Sequence, residues 1–390
     1  MPHCLIDDCS KVSYPFVLDD YKFVDEFTNT NHKDTLIVVL YKDVEFVLSK
    51  KIKNNNIQIK FDKTTRVSPV NIIKGAIKAY ISVCGGKILF SNLNEKYQTK
   101  TISNNIKNIE FFTNKDGFEN FLTNFKDIAI EIGFGSGRHI LHKASLNMTT
   151  LYIGLEIHPT SIEQLDRQIK QKDIKNIIIL SHDARVFLQF LRSNIIKNIY
   201  IHFPVPWDKK PHRRVFSDSF IKEAQRVLKP NGKLELRTDS LNYFEYCMSL
   251  FKNYDNIKIE KNKNIAISSK YEDRWRKMQK NIYDIVLTNK TQSDDFCLSL
   301  NFDFLGIIEP KKRISSKKLI FDDYFISFGE FYQNKKGNIL IAVVFGDFNQ
   351  PSKRYIIIKN KKARYLQSNP LGTITNNKAH KKINQILGEL

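Results

Sequence analysis

Asp-Ile-Ala-Ile-Glu-Ile-Gly-Phe-Gly-Ser-Gly-Arg-His-Ile-Leu-His-Lys, residues 127 to 143, passes from strand to glycine turn to helix in the shortest possible space. Ile128, Ile130 and Ile132 make a short apolar run of β-branched residues, as a buried parallel strand requires. Gly133, Gly135 and Gly137 then alternate, which lets the backbone turn sharply and lets a ligand approach the main chain with no Cβ in the way. A helix starting near Gly137 would point its free N–H groups into the space above the strand, where the polar atoms of a nucleoside can bind.

The spacing discriminates between cofactors. A dinucleotide fingerprint wants a third glycine at position 138, which is Arg138, so a nicotinamide cofactor is disfavoured. Downstream, Leu151 to Leu155 form a second apolar strand followed by Glu156, where a carboxylate can accept both hydroxyls of a ribose. Acidic residues recur at or just past successive strand ends, at Glu131, Glu156, Asp183 and Asp239. In an open α/β sheet ligands bind outside the carboxyl ends of the strands, so these four side chains are expected to line one crevice.

From about Asp127 to Thr288, strands alternate with helices of ten or more residues, which argues for βαβ units and a mostly parallel sheet. Ile162, Leu165 and Ile169 share one helix face; Phe220, Ile221, Ala224, Val227 and Leu228 share another, on a helix stopped by Lys-Pro-Asn-Gly at 229–232. On either side the pattern shortens. Residues 35–41 and 87–90 read as strands and Val70 to Tyr80 as a helix; near the other end strands are expected around 319, 324–328, 338–345 and 354–358, with a turn at 335–337 and a closing helix carrying Ile383, Ile386 and Leu387. The expected organisation is an N-terminal accessory module over 1–120, a central domain over 121–295 and a C-terminal accessory module over 296–390, the flanks being β-rich or α+β.

The 390-residue chain carries 62 Lys plus Arg against 41 Asp plus Glu, a formal charge of +21, so a polyanionic partner is the first physical expectation. Lys, Asn and Ile are abundant while Gly is scarce, and part of the lysine excess reflects that bias. The five cysteines, Cys4, Cys9, Cys84, Cys247 and Cys297, contain no C-x-x-C pair, which argues against a disulfide framework or zinc ribbon, and no metal is expected. With no basic leader and no run approaching about 20 apolar residues, a cytoplasmic protein is expected. The loop Phe-Pro-Val-Pro-Trp-Asp-Lys-Lys-Pro-His-Arg-Arg, 203–214, joins a stiff proline–tryptophan turn to four cations, Lys209, Lys210, Arg213 and Arg214, suited to phosphates.

Glu131, the three glycines, Glu156, Asp183, the proline–tryptophan loop with its lysine pair, and Ser-Lys-Tyr-Glu at 269–272 together resemble the bacterial tRNA (guanine-N7)-methyltransferases over roughly residues 125–290. The resemblance implies a seven-stranded, doubly wound, Rossmann-like S-adenosylmethionine-dependent methyltransferase domain that methylates a guanosine of the tRNA variable loop, conventionally position 46. It does not reach the flanking modules, which compact members of the family lack. Carried over residue by residue, it implies cofactor contacts at Glu131, Gly133, Gly135, Gly137, Glu156, Asp183 and Val205, and substrate contacts at Lys209, Asp239, Ser269, Lys270, Tyr271 and Glu272. Ser269 stands where the family has threonine, and Val205 where it has the aspartate usually assigned as catalytic.

Guanine N7 has an in-plane lone pair and no proton, so its methylation needs alignment and charge management rather than a general base. With Val205 unable to accept a hydrogen bond, Glu272, Asp239 and Asp208 are the candidate catalytic carboxylates that would hold the base. Two readings compete with a monomeric tRNA methyltransferase. A non-catalytic tRNA-binding protein would keep the basic surface alone, and a small-molecule methyltransferase would leave the charge and the cationic loop without purpose.

Overall fold

Two short runs with almost no polar side chain become fully buried strands in the computed structural model: Thr150–Leu155 and Ile177–Leu180 have no residue facing water. The structure describes all residues except 1, 11, 66, 68–69, 95–102, 114, 264, 266–271, 274–277, 297–299, 307–315, 349 and 389–390. It divides into two units, one of residues 100–299 and one that joins 1–99 to 300–390.

The 100–299 unit is built on an eight-stranded sheet. From one edge to the other the strands are Ile257–Lys261, Tyr283–Thr288, Leu228–Thr238, Ile196–His202, Asp127–Ile132, Thr150–Leu155, Ile177–Leu180 and Ile106–Lys107. Pairing from Leu228–Thr238 to Ile106–Lys107 is parallel throughout, while Tyr283–Thr288 runs antiparallel to both neighbours. The chain moves outward from Asp127–Ile132 in one direction, then returns to place Ile196–His202 on its other side. That reversal opens a crevice outside the carboxyl ends of these two strands.

Helices fit because their apolar stripes meet the sheet. Ile162, Leu165 and Ile169 of Pro159–Gln171 are buried, as are Phe220, Ile221, Ala224 and Val227 of Asp218–Val227. Ser217 caps the latter by accepting from Phe220 N at 3.2 Å, and Ser240 caps Leu241–Leu250 through Tyr243 N at 3.2 Å. Such caps contribute about 1 kcal/mol each.

The sheet has one strand more than the seven expected. Ile106–Lys107 joins the outer edge, with Ile179 N donating to Asn105 O at 2.7 Å and Asn105 Nδ2 donating to Asp166 Oδ1 at 3.1 Å. These bonds tie residues 103–107 to the central unit, although the sequence grouped them with the N-terminal flank. Lys-Pro-Asn-Gly at 229–232 does not separate helix from strand; it bulges out of Leu228–Thr238, whose register against Ile196–His202 jumps there.

The flanks form one unit with a single 12-stranded sheet rather than two modules. Each half repeats the same series of elements. Phe16–Leu18, Tyr21–Asn29, Asp34–Tyr41, Val44–Lys53 and Asn56–Phe61 form an antiparallel meander followed by helix Val70–Cys84. Lys318–Ile320, Phe325–Gln333, Ile339–Gly346, Ser352–Lys359 and Lys362–Tyr365 do the same before helix Ile374–Gly388. The halves meet edge to edge, Asn29 opposite Tyr332 and Thr28 opposite Gln333. An exposed edge is a liability in either half alone, and the pairing removes one from each.

Candidate methyl-transfer site

The glycine turn takes the conformation its composition allows, with φ of 69°, 53° and 75° at Gly133, Gly135 and Gly137. The glycines are needed for different reasons. A Cβ on Gly137 would meet Leu165 Cδ1 at 2.6 Å, so this residue lets the helix Arg138–Leu146 pack against Pro159–Gln171. A Cβ on Gly133 would meet nothing within 4 Å; there the backbone borders open space at the strand end.

Three carboxylates stand at successive strand ends as expected, each held in a particular way. Glu131 is only 4% exposed, and its Oε2 accepts from His139 Nδ1 at 2.8 Å. Glu156 accepts from the amides of Ile157 at 2.8 Å and His158 at 3.0 Å through Oε1, and from Gly135 N at 3.2 Å through Oε2. A carboxylate has about four acceptor positions. With three filled by amides, Glu156 has room for one ribose hydroxyl without releasing an amide, not the two expected. Asp183 caps the short helix Ala184–Phe187 by accepting from Arg185 N at 2.9 Å, and its carboxylate also takes Arg185 Nε at 3.1 Å and Nη2 at 2.7 Å.

The 203–214 loop is braced by a side chain whose role the sequence did not reveal. Arg214 is buried, donating through Nε to the Pro206 carbonyl at 2.7 Å and through Nη2 to Asp208 at 3.3 Å. Its guanidinium lies over the rings of Tyr246 and Tyr243 at 4.5 and 5.4 Å. Arg214 is therefore a clamp inside the loop, not a phosphate-facing cation. Lys209, Lys210 and Arg213 remain exposed, with Arg213 over the Trp207 ring at 5.1 Å. Val205, 61% exposed, projects from between the two prolines and offers no polar atom.

Of the candidate base-holding acids, Glu272 does not face the crevice from a polar loop. It is fully buried and pairs with Arg237 at 3.1 Å, while Arg237, also fully buried, meets Asp284 at 2.9 Å. A buried guanidinium needs carboxylates around it, and among the described residues Glu272 is one of the two that meet it. Burial pushes the Asp284 carboxyl up to about 6 against the opposing charge of Arg237. Asp208 is half exposed and bound to Arg214. Asp239, just past Leu228–Thr238, is only partly shielded and has Lys280 Nζ at 3.6 Å. Ser269, Lys270 and Tyr271 lie outside the described residues.

Several residues that shape the site escaped the sequence reading. Arg138, noticed only as a missing glycine, pairs with Asp273 at 2.8 Å and so links the glycine-turn helix to the segment carrying Glu272. Arg237 was hidden in a strand that also carries Lys229, Lys233 and Glu235, so nothing local marked it as the buried one. His139, His202 and Glu235 come together only through the packing of three elements.

A family model described as "Putative methyltransferase" matches residues 125–285. Curated relatives match from end to end. A tRNA (guanine-N(7)-)-methyltransferase of Wolinella succinogenes is 42% identical, covering 99% of this chain and 100% of its own. Proteins of the same name from Helicobacter hepaticus and Helicobacter pylori are 40% and 37% identical, with 99% or more of each chain covered. The likeness therefore extends through both halves of the flanking unit as well as the crevice, and the chain belongs to the tRNA (guanine-N(7)-)-methyltransferase family.

Proposed function

We propose that this protein transfers a methyl group from S-adenosylmethionine to N7 of a guanosine in tRNA, at position 46 of the variable loop, acting as a cytoplasmic monomer. Family membership supports the reaction, and one structural observation carries it: a glycine turn bordering open space at Gly133, with Glu131 on the strand leading into it and Glu156 bonded to Gly135 N.

The residues present fit the cofactor. Open space at Gly133 admits a ligand against the main chain, Glu156 retains one acceptor position for a ribose hydroxyl, and Glu131 places a buried negative charge beside a cationic ligand. When bound, S-adenosylmethionine supplies an electrophilic methyl group on a sulfonium. The protein's part is placement: the loop clamped by Arg214 and the carboxylate of Asp239 would orient the guanine so that its N7 lone pair lies in line. No proton leaves N7, so the growing positive charge on the base is met by a fixed carboxylate. Lys209, Lys210 and Arg213 would take phosphates of the RNA.

Among the described residues no helix is long and apolar enough to cross a membrane. The test is incubation with methyl-labelled cofactor and unmodified tRNA, followed by nuclease mapping. Label in N7-methylguanosine at position 46 is expected; label in another nucleoside, or only in a small molecule, overturns the reading, and tRNA binding without label marks a non-catalytic binder.

A further inference from the structure

A row of four titratable side chains from four elements starts at Glu131, on the strand that leads into the glycine turn. Glu131, on Asp127–Ile132, accepts from Nδ1 of His139, on Arg138–Leu146, at 2.8 Å. The His139 ring lies 4.5 Å from that of His202, on Ile196–His202. His202 Nε2 in turn meets Glu235 Oε1, on Leu228–Thr238, at 2.9 Å. Both imidazoles are largely withdrawn from water, at 12% and 10% side-chain exposure.

We propose that His139 and His202 are positioning residues that hold Glu131 as a cofactor ligand and make S-adenosylmethionine affinity fall in acid as the histidine pair takes up a proton. The inference rests on the reading of Glu131 as a cofactor contact.

Ionised carboxylates only accept, so the imidazole nitrogen facing each carboxylate carries its proton: Nδ1 in His139 and Nε2 in His202. A further proton must enter on the far side of either ring. Rings at 4.5 Å, both shielded, disfavour a second charge, so the pair takes one proton before two. Without it the row carries two negative charges and no positive one. With it, an imidazolium stands against Glu131, directly or one ring away, and weakens its attraction for a cationic ligand. Burial pushes His202 below the ordinary histidine value, because a shielded ring disfavours its charged form.

The other charged and titratable groups around the row are accounted for. Tyr200 packs edge-on to His139 at 4.8 Å and carries Lys143 over its ring at 5.6 Å. Lys263 acts on Glu235, and the buried Arg237 with its partners Asp284 and Glu272 holds the neighbouring position on the same strand as Glu235. Among the described residues no other hydrogen bond is made to Glu131, which leaves its Oε1 for the ligand.

The measurement is calorimetric titration of the full chain with S-adenosylmethionine alone, without tRNA, at several pH values. The parent Kd is expected to be flat above about pH 7.5 and to rise toward tenfold per pH unit in acid. His139→Asn, whose amide still donates to Glu131 but takes no proton, is expected to bind within a few-fold of the parent near pH 8 and to lose most of the acid slope. His139→Leu, with neither donor nor titrating ring, is expected to bind about tenfold more weakly than the parent near pH 8 and to lose most of the acid slope as well. A parent Kd independent of pH overturns the proposal without requiring any variant. A slope undiminished in His139→Asn overturns it as well. Glu131→Gln separates the two levels of argument: if it binds as tightly as the parent, Glu131 is not a cofactor contact and the underlying reading fails. If it weakens binding while His139→Leu does not, only the positioning role fails.

Discussion

Arg237 donates through Nη2 to Glu272 Oε1 across 3.1 Å with both side chains about 1% exposed, so the acid expected to meet the substrate is engaged with a buried cation. Removing Glu272 leaves Arg237 with Asp284 alone against its charge, and breaking a buried pair costs about 3–5 kcal/mol. Glu272→Gln is therefore expected to lower the thermal midpoint of the methyltransferase unit by roughly ten degrees, read by scanning calorimetry. An unchanged midpoint with lost methylation would instead make Glu272 a base-holding residue.

Asp239 has the least committed carboxylate of the three candidates, with Lys280 at 3.6 Å as its ion-pair partner. Asp239→Asn is expected to lower the single-turnover methylation rate by about a hundredfold, the scale of losing one preorganised charge contact. The same variant should leave cofactor Kd and melting unchanged. Asp208→Asn should change the rate by less than Asp239→Asn, because Asp208 faces Arg214. Wild-type rates in both would move the search to backbone groups of residues 203–207.

The loop's cations divide by burial. Substituting Lys209, Lys210 and Arg213 by Ala should leave folding intact and reduce the slope of log affinity for tRNA against log salt by close to one per lost phosphate contact. Arg214→Ala should behave differently. It removes the bond to the Pro206 carbonyl and the stacking on Tyr246, so the loop loosens and the methylation rate falls more than RNA affinity. Equal effects of the two changes on the salt slope would return Arg214 to the phosphate contacts.

Glu156 bridges two turns by accepting amides of Gly135, Ile157 and His158. Glu156→Ala is expected to weaken S-adenosylmethionine binding roughly ten- to hundredfold, the effect of losing a charge-assisted hydrogen bond of about 1.5–3 kcal/mol. Glu156→Gln should recover part of that affinity, because its carbonyl oxygen still accepts one of the amides. An unchanged dissociation constant in the alanine variant would remove Glu156 from the cofactor site.

Acid stability follows from Glu235. Burial raises its carboxyl, but the His202 hydrogen bond and the charges of His202, His139 and Lys263 outweigh that and hold it at about 2, below an ordinary value of 4.5. A depressed carboxyl contributes stability that is complete above the unfolded value and is lost as pH falls through that value toward the folded one. Denaturant melts between about pH 5 and 3 should therefore show an excess acid slope approaching one proton, flattened in Glu235→Gln. Parallel slopes in parent and variant would contradict the His202–Glu235 pair.

Much of the central unit was legible because its signals are local. Runs such as Ile177–Leu180 are apolar at every position, which only a strand buried on both faces tolerates, and Gly133, Gly135 and Gly137 mark a turn by composition alone. The flanks were harder. Tyr21–Asn29 and Val44–Lys53 mix charges into half-buried strands, and the pairing of Asn29 with Tyr332 spans some 300 residues of sequence that no local pattern records. One unit was accordingly read as two modules.

By itself the sequence determined the order of strands and helices around residues 127–143, the acids at the strand ends and the proline–tryptophan loop, since each depends on neighbours a few positions apart. Only the tertiary structure decided what those groups can do. It buried Glu272 against Arg237, turned Arg214 inward beneath Pro206, and set His139 between Glu131 and His202. The reason is physical: the availability of a charged side chain depends on who else is buried beside it, and desolvation and pairing are properties of packed neighbours from distant parts of the chain.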